Sequence, residues 1–131
     1  SKTCILELLP LPSPRADNWF YKKPLSDLPE LQSREKYKSE MLQFRIKEIK
    51  KLIGVCKPRR VLFYGGSSEY RDYWKKIVGC SANWKNELLY KDKKQTVYRE
   101  MTLVSGIEYE ILPHPTSYYI KNSDYETDRI R

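Results

Sequence analysis

Apolar positions recur at helical spacing in two parts of the chain. Residues 33–54 are predicted to form a long helix that Ser33 caps and Gly54 ends. Its apolar stripe consists of Tyr37, Met41, Phe44, Ile49 and Leu52. A second helix is predicted between a turn at 65–68 and Gly79, with Tyr70, Tyr73, Trp74 and Ile77 on its apolar face.

Four other segments have the pattern of β-strands. Residues 3–9 form a short apolar run typical of a buried strand, and residues 61–64 are predicted to form a central strand. Residues 87–105 are predicted to form a β-hairpin, and residues 107–112 alternate as a strand does. The order of the elements, with long connections between strands, predicts an α/β fold. We expect three layers, a central mostly parallel sheet flanked by helices, with the hairpin as an insertion.

The stretch from residue 10 to residue 32 is a long loop. Three prolines in residues 10–14 exclude regular structure there, whereas Trp19, Phe20 and Tyr21 favour a role in function or docking. At the other end, Ser123 and Glu126 form a capping box that opens a further helix. Because that helix would run past Arg131 and the chain starts without Met, we expect one domain over residues 1–131 that is a fragment of a longer chain.

Composition narrows the class of protein. The 131 residues include 25 Lys and Arg against 17 Asp and Glu, a net charge of +8. No apolar run reaches the roughly 20 residues of a membrane span, and no secretory signal is visible. Cys4, Cys56 and Cys80 have neither the number nor the spacing of a disulfide framework or a zinc site. We therefore expect three buried thiols, no metal and a cytoplasmic protein.

The positive charge is concentrated in one region. Residues 34–60 contain 10 basic and 3 acidic side chains, which is the pattern of a phosphate-binding surface. The 11 tyrosines and 3 tryptophans of the chain favour nucleic acid, because bases stack on such rings. A lysine-rich helix face that serves only solubility is the alternative.

Two short motifs are candidates for chemistry. Gly65, Gly66, Ser67 and Ser68 stand between a strand and a helix, where backbone amides and hydroxyls can bind an anion, although a plain tight turn would look the same. His114 follows a predicted strand between two prolines, at the end of the strand where α/β proteins bind ligands. An imidazole held there can polarise a substrate oxygen, or it can be a loop histidine without a role.

The segment His114-Pro115-Thr116 resembles the histidine motif of the uracil-DNA glycosylase superfamily. Residues 61–67 are similar to that family's strand, glycine and serine before the penultimate helix, and residues 4–7, with the loop up to Trp19, are similar to its base-reading strand. The three segments occur in the family's order and together cover most of the chain.

The resemblance implies a function in base-excision repair, with DNA as partner and no cofactor. His114 would stabilise negative charge on the departing base. Ser67 and Thr116 would contact phosphates, and Tyr118 would fill the space that the extruded base leaves. Glu7 would read the base, although the family normally has an amide at that position.

The family's N-terminal motif, which positions the attacking water, has no counterpart before Cys4. Two hypotheses of different classes follow. The first is a DNA-glycosylase-like domain that binds DNA and an extruded base, and that hydrolyses the N-glycosidic bond where the longer chain supplies the missing motif. The second is a non-catalytic basic α/β module that binds nucleic acid or a protein partner.

Overall fold

The computed structural model describes residues 3–9, 19, 21, 24, 26–91 and 96–113, and the chain divides into two compact units, Ser1–Leu52 and Ile53–Arg131. The mixed α/β class is confirmed. After a short 3-10 helix at Pro29–Leu31, the elements are α1 (Arg34–Cys56), β1 (Arg60–Tyr64), α2 (Ser68–Val78), β2 (Lys85–Lys91), β3 (Thr96–Val104) and β4 (Ile107–Leu112). The helix predicted to begin at Ser123 lies outside the described residues.

Helix α1 begins as predicted and ends later. The Ser33 hydroxyl accepts a hydrogen bond from the Lys36 amide at 3.1 Å and so caps the first turn. Gly54 does not end the helix, which continues to Cys56 and stops where Lys57 takes the left-handed conformation at φ 43°. The predicted apolar stripe is only partly buried, because Phe44 stays 56% exposed.

The described residues before α1 contact the rest of the first unit through a few side chains and do not form a strand. Residues 3–9 have no strand pairing, although Leu8 is buried, so the strand predicted there is wrong. Trp19 stacks on Tyr37 of α1 with ring centroids 5.3 Å apart, and its indole donates to the Leu31 carbonyl at 2.7 Å. This is the docking that the aromatic residues of the 10–32 loop predicted.

The strands of the second unit form one sheet in the order β1-β4-β3-β2. Strand β1 pairs with β4 in parallel, while the β4–β3 and β3–β2 pairs are antiparallel. The described sheet is therefore mostly antiparallel, not mostly parallel as predicted, and β1 lies at its edge and not at its centre. The predicted hairpin is confirmed, but its strands make up half of this sheet and are not an insertion.

A two-residue turn accounts for much of this difference. Ser105 and Gly106 connect β3 to β4 with φ values of 52° and 79°, the conformation of a type I′ hairpin turn. Two residues can join antiparallel neighbours only, since a parallel connection needs about a dozen residues or more.

Helix α2 packs on one face of the sheet. Trp74 stacks on Phe63 of β1 with ring centroids 4.9 Å apart, and the Phe63 ring lies 6.2 Å from that of Tyr109 on β4. Ile77 and Ile111 are buried in the same layer. Burial of each such side chain contributes about 1.5–3 kcal/mol, so this layer is the main apolar core of the second unit. Burial also raises the pKa of the Tyr109 phenol.

The other face of the sheet carries a chain of ion pairs across all four strands. Arg60 of β1 donates to Glu110 of β4, which lies 3.6 Å from Arg99 of β3, and Arg99 binds both carboxylate oxygens of Glu87 on β2 at 2.9 Å. Glu110 and Arg99 are 5% and 6% exposed. Each buried charge thus has an opposite charge on a neighbouring strand, as buried charges require.

Candidate nucleic-acid interface

The parallel pairing of β1 and β4 brings the 65–67 turn and Pro113 to one edge of the sheet. Tyr64 and Leu112 are partners at the ends of the two strands, and the Gly65 amide donates to the Leu112 carbonyl at 2.9 Å. Pro113, the residue before His114, has its Cα 3.7 Å from the place that a Cβ on Gly66 would take. The 65–67 turn and the point where the chain enters the histidine motif are therefore neighbours.

The turn itself is held by two features. Gly65 has φ +124°, a conformation that residues with a side chain rarely adopt. Its carbonyl accepts a hydrogen bond from the Trp74 indole at 3.1 Å, which ties the turn to the core helix. The backbone at this edge is thus fixed from the strand side and from the helix side.

Ser67 is exposed and caps α2. Its hydroxyl oxygen accepts a hydrogen bond from the Tyr70 amide at 3.4 Å. A hydroxyl keeps its own proton and a second lone pair while it serves as a cap. Ser67 therefore has the structural role of a tight turn, and its O–H can still donate to a phosphate oxygen.

Arg71, which no sequence motif marks, lies at the same edge. Its Nη2 atom is 3.7 Å from the Cβ position at Gly66, and its Nε atom is 3.4 Å from a carboxylate oxygen of Glu100. Glu100 is buried on β3 and also accepts from Lys75 at 2.8 Å. The available signal was the position of Arg71 four residues after the capping Ser67, on the first turns of α2.

The structure places Glu7 in the first unit, on an exposed segment without strand pairing. Its backbone carbonyl accepts a hydrogen bond from Arg45 Nη2 at 2.6 Å. The role of its carboxylate as the base-reading group stays a prediction. The other predicted site residues, His114, Thr116 and Tyr118, lie outside the described residues.

The basic region of the sequence forms an exposed face of α1. Lys36, Lys47, Lys50 and Lys51 are all exposed, and at 3.6 residues per turn they fall within a sector of about 100°. Glu40 is the one acidic residue in that sector. This lysine face belongs to the first unit and carries a net positive charge.

Other classes of site find little support in the part of the chain that is described. No group of three potential ligands among His, Cys, Asp and Glu could hold a metal ion there. Cys4, Cys56 and Cys80 are free thiols and all three are exposed, so the prediction that they are buried is wrong. None of the described helices has the length and apolar character to cross a membrane.

No protein-family model, curated protein or solved structure matches this chain significantly.

Proposed function

We propose that this chain is a DNA-glycosylase-like domain that binds DNA at the edge where β1 and β4 end. The observation that supports the proposal is the parallel β1–β4 pair, in which Gly65 bonds to Leu112 and Gly66 lies against Pro113. Two motifs far apart in the sequence start from this edge, one with a serine and one with the single histidine of the chain. In such a domain the sheet would be the middle of three layers.

Each residue of the proposed site has a distinct task. His114 stabilises negative charge on the departing base, and Thr116 and Ser67 hold phosphates beside the extruded nucleotide. Tyr118 fills the space in the duplex that the extruded base leaves. Bond cleavage further requires a group that activates water.

Binding is tested with two DNA duplexes that differ at one position. One duplex contains an abasic-site analogue, and the other is intact. Because extrusion of a base is easiest where pairing is already lost, we expect binding to the abasic duplex to be at least about tenfold tighter. Equal affinity for the two duplexes contradicts an extruded-base site.

Catalysis is tested on the natural full-length protein with duplexes that contain uracil, hypoxanthine or an alkylated purine. Excision is measured by alkaline cleavage of the labelled strand. His114→Ala is expected to reduce the rate about 10²–10³-fold, the usual cost of losing one stabilising donor, with little change in DNA affinity. No excision across the panel, or full activity of His114→Ala, contradicts the catalytic part of the proposal.

The lysine face of α1 supports a second candidate, a non-catalytic module that binds nucleic acid through this face alone. It predicts no preference for the abasic duplex. Triple replacement of Lys47, Lys50 and Lys51 by Gln would then reduce the salt dependence of log K by nearly three units. The control is the same change at the exposed Lys76, Lys85 and Lys91 of the second unit. Equal losses in both triple variants contradict binding through a defined face.

A further inference from the structure

The guanidinium of Arg71 borders the edge where β1 and β4 end. Its Nη2 and Nε atoms lie 3.7 and 4.0 Å from the position that a Cβ on Gly66 would occupy. The Cα of Pro113 lies 3.7 Å from the same position. The Arg71 side chain, on α2, thus stands next to both segments of the proposed site.

A buried carboxylate holds this guanidinium. Glu100 is 7% exposed and places one oxygen 3.4 Å from Arg71 Nε and the other 2.8 Å from Lys75 Nζ. The contact uses the Nε side of the guanidinium, while the side chain of Arg71 as a whole remains 37% exposed. The cluster of two cations and one carboxylate has one positive charge in excess.

An arginine beside a turn of this kind is suited to a phosphate. Its planar fork offers parallel N–H donors to two oxygens of one phosphate. Because Gly66 has no side chain, the guanidinium lies directly against the turn that carries Ser67.

We propose that Arg71 binds a backbone phosphate of the DNA at this edge, beside Ser67. The inference rests on the proposed DNA-binding function and adds to it a charged contact. Ser67 alone offers a neutral hydrogen bond, whereas Arg71 neutralises one phosphate charge and releases its counterion.

The test compares Arg71→Ala with Lys76→Ala, which removes the same charge from an exposed position of the same helix. Affinity for the abasic duplex is measured by fluorescence anisotropy at several salt concentrations. Arg71→Ala is expected to weaken binding about tenfold and to reduce the salt dependence of log K by about one unit. Arg71→Lys should recover part of the affinity, because it keeps the charge and loses the fork. Lys76→Ala should stay within about twofold of the parent protein, because it lies outside the proposed contact.

Arg71→Ala is expected to fold, since Lys75 continues to pair with Glu100, and thermal unfolding checks this. If it does not fold, Arg71→Gln, which keeps most of the side-chain length, takes its place. One result would overturn the role of Arg71 and leave DNA binding intact. In that case the parent protein prefers the abasic duplex, and Arg71→Ala binds it with the same affinity as Lys76→Ala. A parent protein that binds neither duplex overturns both.

Discussion

Removal of the Glu110 carboxylate tests whether the ion-pair chain stabilises the sheet. Glu110 lies between Arg60 and Arg99, and its side chain is 6% exposed. Glu110→Ala leaves the Arg99 side chain, which is 8% exposed, without the carboxylate that separates it from Arg60. Glu108→Ala is the matched control, because Glu108 is on the same strand, 4.0 Å from Arg60, and 60% exposed.

The two variants are expected to lose different amounts of the free energy of unfolding. Loss of one partner from a buried ion pair costs about 3–5 kcal/mol. Arg99 keeps Glu87 at 2.9 Å and Arg60 keeps Glu108 at 4.0 Å, which places Glu110→Ala near the lower end. We therefore expect a loss of about 3 kcal/mol for Glu110→Ala and of about 0–1 kcal/mol for Glu108→Ala.

The free energy of unfolding is measured by urea titration, with tryptophan fluorescence as the signal. Trp74 is buried against Phe63 and so reports on the second unit. The slope against urea should be unchanged, so that the midpoint alone moves. If the two variants lose the same free energy to within about 0.5 kcal/mol, the buried ion pairs do not stabilise the sheet as argued.

Three further predictions concern single positions. Burial raises the pKa of the Tyr109 phenol. The stability that the neutral phenol contributes is therefore fully present below the unfolded pKa of about 10, and it is lost as the pH rises through the folded pKa. Tyr109→Phe should lose less free energy of unfolding than the parent between about pH 9 and 11, and parallel curves would refute this. Gly106→Ala, at φ +79°, should destabilise the protein by about 1–2 kcal/mol. Gly54→Ala places a Cβ in α1 with nothing within 4 Å and should stabilise the protein by about 0.5–1 kcal/mol. If urea unfolding gives both changes the same sign, the assigned conformations of the two glycines are contradicted. Ser67→Asp should keep the cap and the thermal stability but weaken DNA binding through repulsion of a phosphate, and unchanged binding places the phosphate elsewhere.

Local sequence signals predicted the elements whose partners are close in the chain. Strand β4 occupies the predicted 107–112. The alternation in burial holds only from Ile107 to Tyr109, because residues 109–112 are all buried. Helix α2 was predicted from its apolar stripe, the turn at 65–68 before it and Gly79 after it. These features depend on neighbours within a few residues, which a pattern can represent.

The errors concern features that depend on distant partners. Among the described residues, the apolar run at 3–9 has no neighbouring strand, and β1 is at an edge because β4 is its one partner. The Ser105–Gly106 turn makes β3 and β4 antiparallel neighbours. Ser-Gly is a turn signal, so the position of this turn is visible in the sequence. The burial of Glu110 could not be predicted from alternation, because it requires arginines on both adjacent strands.

The sequence likewise predicted some residues of the candidate site and not others. The glycine and serine of the 65–67 turn were visible as a motif, and the parallel β1–β4 pair adds their proximity to Pro113. Arg71 could not be predicted from the sequence, because only the tertiary contact with Glu100 distinguishes it from other basic residues on helix surfaces.

Amide-resolved NMR tests directly whether DNA binds where β1 and β4 end. The isotope-labelled chain is titrated with the abasic duplex, and chemical-shift changes are followed for each backbone amide. The largest changes are expected at the amides of Gly65, Gly66, Ser67, Arg71 and His114. Changes confined to the lysine face of α1, with none in residues 65–71, would contradict this binding site.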